Sequence, residues 1–150
     1  MLAIGQLAPD FTLKDQWGND VALSGLRGQK VVLSFHPLAW TSVCTLQMQD
    51  LEARRDDWTR LGAVALGLSV DSQPCKKAWA EAIGVVHTPL LADFWPHGAV
   101  AQACDVFRPR HGTSERAVLI LDAEGVVRWT KLYPVSERPD IDEVVAACAR

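Results

Sequence analysis

The chain has 150 residues, enough for one domain with a sizeable core, and 49% of them are hydrophobic against 22% charged. That balance excludes a disordered chain. Apolar runs such as Val31-Val32-Leu33 and Ala63 to Leu68 fall far short of the ~20 residues that span a membrane. A formal net charge of −3 gives no footing for a nucleic-acid partner, and Met1-Leu2-Ala3-Ile4 lacks the regions of a secretory signal. Four cysteines, at 44, 75, 104 and 148 with no CxxC among them, are too few for a disulfide scaffold. In a cytoplasmic protein, the location expected here, such cysteines are kept for their chemistry.

In chain order, Phe11-Thr12-Leu13 reads as extended, Asp15 to Asn19 as a turn and Val21-Ala22-Leu23 as the return of a hairpin. Val31 to His36 is a buried strand ended by Pro37. A single helix is expected from Val43 to about Arg60, with Thr41 and Ser42 as N-cap residues. Ala63 to Val70 is the next strand, and Pro74 opens a helix that runs to about Ile83. Leu90-Leu91-Ala92 is a short strand and Gly98 to Cys104 a short helix. Ala117 to Leu121 and Val126 to Leu132 are strands joined at Asp122-Ala123-Glu124-Gly125, and Ile141 to Ala149 closes as a helix. This order implies one mixed sheet with helices on its faces. The site is expected at the C-terminal edge of the first two parallel strands.

At that edge His36 to Cys44 reads His-Pro-Leu-Ala-Trp-Thr-Ser-Val-Cys. Cys44 falls in the first turn of a helix, where free amides and the helix dipole favour a thiolate, the nucleophilic form of cysteine. Thr41 can turn its hydroxyl toward the sulfur or a bound oxygen, and Pro37 can shield the sulfur from bulk water. A cysteine at a helix start is more often inert filler, so the surrounding pattern decides.

Pro37, Thr41 and Cys44 form Pro-x-x-x-Thr-x-x-Cys on a strand-to-helix turn, which resembles the peroxiredoxin family. Pro37-Leu38-Ala39-Trp40-Thr41 and Leu91 to Val100 are similar to stretches of its alkyl hydroperoxide reductase E type, and Arg116 stands where the family carries an arginine before a late strand. The resemblance runs from about Gly5 to Ala149. It implies a single thioredoxin-like domain over residues 1–150, an α/β three-layer sandwich with a mixed central sheet and an N-terminal β-hairpin extension. It also implies a thiol-dependent peroxidase acting on hydrogen peroxide, organic hydroperoxides or peroxynitrite.

On that reading Cys44 becomes a sulfenic acid. Arg116 holds the thiolate and the peroxide oxygens, while Thr41 and the amides near Val43 and Cys44 stabilise charge on the leaving oxygen. Trp40, Val43 and Gln47 line the pocket. The subgroup has glutamate where this chain has Gln47; Trp40 replaces a phenylalanine and His36 another aromatic. No metal or organic cofactor is implied. The reductant is an external thiol, such as a thioredoxin-, glutaredoxin- or mycoredoxin-like protein, and the chain is expected to pair as a homodimer.

Two resolving positions known in the family are missing, because Gln49 follows the nucleophile by five residues and Cys148 lies in Ala-Ala-Cys-Ala-Arg. Cys148 and Cys104 read as packing. Cys75, at the start of the second helix, is the candidate resolving thiol, and both it and Cys44 are expected to be acidic; the alternative is a one-cysteine enzyme. Other readings are weaker. A thioredoxin-type oxidoreductase needs CxxC. The spacing of His36, His97, His111, Cys44, Cys75 and Cys104 fits no short zinc pattern. A non-catalytic holdase on the same fold is the rival the sequence separates least. Arg54-Arg55 and Arg108-Pro109-Arg110 are accompanied by acids and read as solvated faces.

Overall fold

The computed structural model describes all of residues 1–150. A hairpin of β1 (Thr12–Lys14) and β2 (Asp20–Ala22) comes first, with Leu13 opposite Val21. β3 (Lys30–Phe35) then enters the middle of the molecule and leads through a turn into α1 (Ser42–Ala53) and α2 (Arg55–Arg60). β4 (Ala63–Ser69), α3 (Gln73–Ile83), β5 (Leu90–Ala92) and α4 (Ala99–Ala103) follow. A two-residue pair, β6 (Phe107–Arg108) and β7 (Thr113–Ser114), precedes β8 (Arg116–Leu121), β9 (Val127–Tyr133) and α5 (Ile141–Cys148).

Seven strands form one sheet in the order β2-β1-β5-β4-β3-β8-β9. β3, β4 and β5 run parallel, while β8, β9 and the hairpin pair antiparallel, so the sheet is mixed as expected. The hairpin is joined through Lys14 opposite Ala92 and widens the sheet at one edge.

The period of two along β3 sorts its side chains between two cores. Val31, Leu33 and Phe35 pack with Leu66, Leu68, Leu119 and the α4 residues Val100 and Ala101. Val32 faces the opposite cluster, built with Cys44, Met48 and Leu51 of α1, Trp79 of α3 and Val144 of α5. Each such Val or Leu removed from water contributes roughly 1.5–3 kcal/mol before chain entropy is counted. Two apolar layers therefore flank the sheet, the three-layer sandwich expected from the sequence. Gly67 of β4 is required by this packing: a Cβ there would collide with the Met48 sulfur and Leu90 Cδ2.

Three local expectations are corrected. The helix expected from Val43 to Arg60 is two helices, broken at Arg54, whose φ and ψ are −99° and 15°. Arg54 is tied to Asp57 at 2.6 Å and to Asp142 of α5 at 2.6 Å, and the Trp58 indole donates to the Leu51 carbonyl at 3.0 Å. The indole thus takes the Leu51 carbonyl, while Arg54 keeps its own helical bonds, its amide donating to the Asp50 carbonyl at 3.2 Å and its carbonyl accepting from the Trp58 amide at 3.2 Å. The β6–β7 pair had no signal in so short a segment. β8 also begins one residue earlier than its apolar run, because Arg116 itself pairs with Tyr133.

Candidate active site

The parallel pairing of β3 with β4 puts Phe35 opposite Leu68, and the His36 amide extends the ladder to the Leu68 carbonyl at 3.0 Å. Pro37, partly buried, ends the strand. Trp40, with φ of 68°, then sits in the left-handed region, a costly conformation for a bulky residue, and the chain turns into α1. The turn is fastened from β4's side: the Ala39 amide donates to Asp71 Oδ2 at 2.8 Å, which also accepts from Ser69 Oγ at 2.6 Å.

Cys44 lies in the first turn of α1 and is 1% exposed. Its sulfur accepts a hydrogen bond from Arg116 Nη1 at 3.2 Å, from a residue 72 positions away. Arg116 is 3% exposed and held on three sides. Nη1 also donates to Gln47 Oε1 at 2.8 Å, Nη2 donates to the Val135 carbonyl at 2.6 Å, and Nε has no partner within the chain. Gln47, 2% exposed, is fixed in turn by donating to Ser34 Oγ at 2.8 Å and to the Phe35 carbonyl at 3.0 Å. Its amide oxygen is therefore committed to the arginine. Gln47 orients Arg116 from behind rather than lining an open pocket wall.

Thr41 is the N-cap of α1 by backbone conformation, but its side chain makes no cap bond. Its hydroxyl donates to the Leu38 carbonyl at 2.7 Å. With its proton engaged there, the oxygen can only accept further bonds, whereas the sequence led to a donor at this position. Val43 is partly buried beside Cys44, and Trp40 is exposed at the rim.

Cys75 is partly buried at the start of α3, its amide donating to the N-cap Ser72 Oγ at 3.4 Å. Burial pushes this thiol up from its ordinary range, and the Asp71 carboxylate, 3.8 Å from its sulfur, adds to the effect. Cys75 is thus a protonated thiol, contrary to the expectation that both helix-start cysteines are acidic. Burial also pushes Cys104 up to about 12, and Cys148 is raised by burial in the core. No three His, Cys, Asp or Glu side chains come together as a metal site.

Sequence reading missed one buried pair: Lys76 Nζ lies 2.8 Å from His36 Nε2, and both residues are 0% exposed. Nothing in the sequence marks Lys76, because lysine at a helix start is ordinarily a surface residue.

The AhpC/TSA family model matches residues 4–130. The chain belongs to this peroxiredoxin family. It is 40% identical to alkyl hydroperoxide reductase E of Mycobacterium tuberculosis over 141 residues, covering 93% of this chain and 92% of that protein. It is 36% identical to peroxiredoxin 2 of Thermoplasma acidophilum over 147 residues, covering 95% of this chain and 72% of the relative. The reduced 2-Cys peroxiredoxin of Plasmodium vivax superposes with a TM-score of 0.90 at 25% identity, over 99% of this chain and 81% of that one. A peroxiredoxin is a thiol-dependent peroxidase, and the fold and activity inferred from the motif at Pro37, Thr41 and Cys44 agree with these likenesses. No helix is long and apolar enough to cross a membrane.

Proposed function

We propose that Cys44 is the nucleophile of this peroxiredoxin, and that residues 1–150 act as one domain around it. The observation that carries the reading is the 3.2 Å hydrogen bond from the buried Arg116 to the Cys44 sulfur. The thiolate attacks the terminal oxygen of a hydroperoxide, ROOH. The S–O bond forms as the O–O bond breaks, leaving a sulfenic acid on Cys44 and an alkoxide that takes a proton to become ROH. For hydrogen peroxide the second product is water. Arg116 supports both the thiolate and the charge gathering on oxygen; its Nε, without a partner in the chain, is the donor still free for a substrate oxygen.

Thr41 Oγ1, its proton given to Leu38, accepts the hydroperoxide O–H and aligns the substrate. The first-turn amides of Val43 and Cys44, which have no intrahelical acceptors, face the same negative charge. Pro37 excludes water from the sulfur, and Trp40 and Val43 complete the wall.

The sulfenic acid is resolved by an external thiol, from a thioredoxin-, glutaredoxin- or mycoredoxin-like protein in the cytoplasm. The protonated state of Cys75 supports this order of preference. The second reading, resolution by Cys75, rests on that residue packing against the cluster that contains Cys44. A homodimer is supported by exposed apolar residues, with Trp95 80% exposed and Trp40 57%.

Intact mass of the reduced protein after one equivalent of hydrogen peroxide, with and without a sulfenic-acid trap, tests the proposal. A gain of one oxygen trapped at Cys44 is expected for the external route. Loss of two hydrogens mapped to Cys44 and Cys75 assigns the internal route. No rapid change at Cys44 overturns its role as nucleophile.

A further inference from the structure

Asp71 lies between β4 and α3, outside the group of residues that meet the Cys44 sulfur, yet three segments are tied together at its carboxylate. Oδ2 accepts from the Ala39 amide of the β3–α1 turn at 2.8 Å and from the Ser69 hydroxyl at the end of β4 at 2.6 Å. Oδ1 accepts from the Cys75 thiol of α3 at 3.8 Å. The Ser69 and Cys75 bonds are local, two and four residues away, and fix how the carboxylate points. The Ala39 bond spans 32 positions and joins the ends of two neighbouring parallel strands.

The turn has little else to hold it. From Pro37 to Trp40 the bond to Asp71 is the one hydrogen bond that reaches another element, since Pro37 has no N–H and the Leu38 carbonyl is met by Thr41 of the same turn. Trp40, next to Ala39, is in the left-handed region at φ of 68° and is 57% exposed, so a strained residue stands where packing gives little support. Further along, α1 is secured by the buried Gln47 and Met48. The first turn that carries Cys44 thus has a fixed helix on one side and, on the other, a turn whose placement depends on a carboxylate. A displacement of about 1 Å there takes the sulfur out of bonding reach of Arg116, and misplacement on that scale can cost about a hundredfold in rate.

We propose that Asp71 is a positioning residue for the peroxidase reaction: by accepting from the Ala39 amide, its carboxylate keeps the β3–α1 turn in the shape that places Cys44 against Arg116. The inference rests on Cys44 being the nucleophile. It requires an acceptor at Asp71 rather than a charge. The distinction matters because burial brings the Lys76 amine down to about 7, and the Asp71 charge is the leading influence opposing that fall. Asp71→Asn keeps an oxygen for Ala39 and Ser69 and drops the charge, so it separates the two duties.

Asp71→Ala is expected to slow the reaction with hydrogen peroxide about tenfold, and Asp71→Asn to recover most of that rate. In the reduced Asp71→Ala protein, maleimide labelling of Cys44, mapped by peptide mass, should become severalfold faster, while the buried Cys104 and Cys148 label as slowly as in the wild type. That pattern belongs to a loosened turn, whereas general destabilisation speeds all three. A folded Asp71→Ala protein within about threefold of the wild-type rate overturns the proposal. So does a slower rate with Cys44 labelling unchanged, or with Cys104 and Cys148 labelled faster as well. Equal losses in the alanine and asparagine variants overturn it too, because the charge is then responsible. Should Asp71→Ala not fold, amide hydrogen exchange in the reduced wild type decides: Ala39 is expected to be protected while Leu38 and Trp40 exchange freely, and a freely exchanging Ala39 overturns the proposal. The labelling and exchange arms use no peroxide. Failure of wild-type Cys44 to form a sulfenic acid would therefore remove its role as nucleophile and leave the hold of Asp71 on the turn separately readable.

Discussion

Replacing Arg116 by methionine keeps an unbranched apolar stem and removes the charge and the donors. At 3.2 Å from the sulfur and an effective dielectric of about 20, the attraction between guanidinium and thiolate is about 5 kcal/mol. That is a ceiling, because water and the remaining donors at the α1 start recover part of it. A loss of about 2–4 kcal/mol in transition-state stabilisation is the working figure, as for removal of one donor from an oxyanion site. The second-order rate constant with hydrogen peroxide then falls roughly 30- to 1,000-fold. Stopped-flow tryptophan fluorescence reads this directly, because Trp40 lies at the site. The variant also leaves the Val135 carbonyl and Gln47 Oε1 without their donor, so a lower melting temperature is expected alongside. Arg116→Lys restores a charge without the fork that reaches all three partners, and should recover only part of the rate. A folded Arg116→Met protein within about threefold of the wild-type rate would refute the assignment.

Glu52→Gln tests a different kind of buried charge. Burial raises the Glu52 carboxyl, but hydrogen bonds from His87, Thr88 and the Val86 amide more than offset it and bring it down to about 2. Its folded value is depressed, so its stabilisation is present above the ordinary 4.5 and is lost as pH falls toward about 2. The variant should lose about 2 kcal/mol at neutral pH, roughly 4–8 °C in melting temperature, and show a shallower acid transition in that window. Gly67→Ala should cost about 1–3 kcal/mol in chemical denaturation, since Met48 and Leu90 must move away from the new methyl group. Cys44→Ser should abolish peroxide turnover; if the chain also suppresses aggregation of an unfolding client protein, that activity should survive the substitution.

The part of the site that was legible lies within nine residues. Strand, proline, threonine and cysteine from His36 to Cys44 are local, and their geometry follows from a strand ending and a helix beginning. Arg116 was legible only through its family position, because an arginine before a strand is ordinarily a surface residue. The role of Gln47 depends on which of its amide atoms meets Arg116, and the buried Lys76 amine meets His36, just past β3, and the Trp79 ring. Such facts are tertiary. The same holds for the break at Arg54, where bonds to Asp57 and Asp142 and the Trp58 indole override a helical pattern that the sequence carries through without interruption.

A nucleophile on a residue only 1% exposed would also act as a sieve. On the proposed reading of Cys44 as the nucleophile, a narrow hydroperoxide group approaches so enclosed a residue more readily than a thiol carried on the backbone of a second protein. On that reading the two reactants are separated by girth. The oxidant is served by the closed arrangement. On the proposed external route, a protein thiol reaches Cys44 only if the first turn of α1 loosens, which would draw the sulfur away from the Arg116 guanidinium anchored on β8. A single burial would then set an order on the cycle, with oxidation in one shape and repair in another.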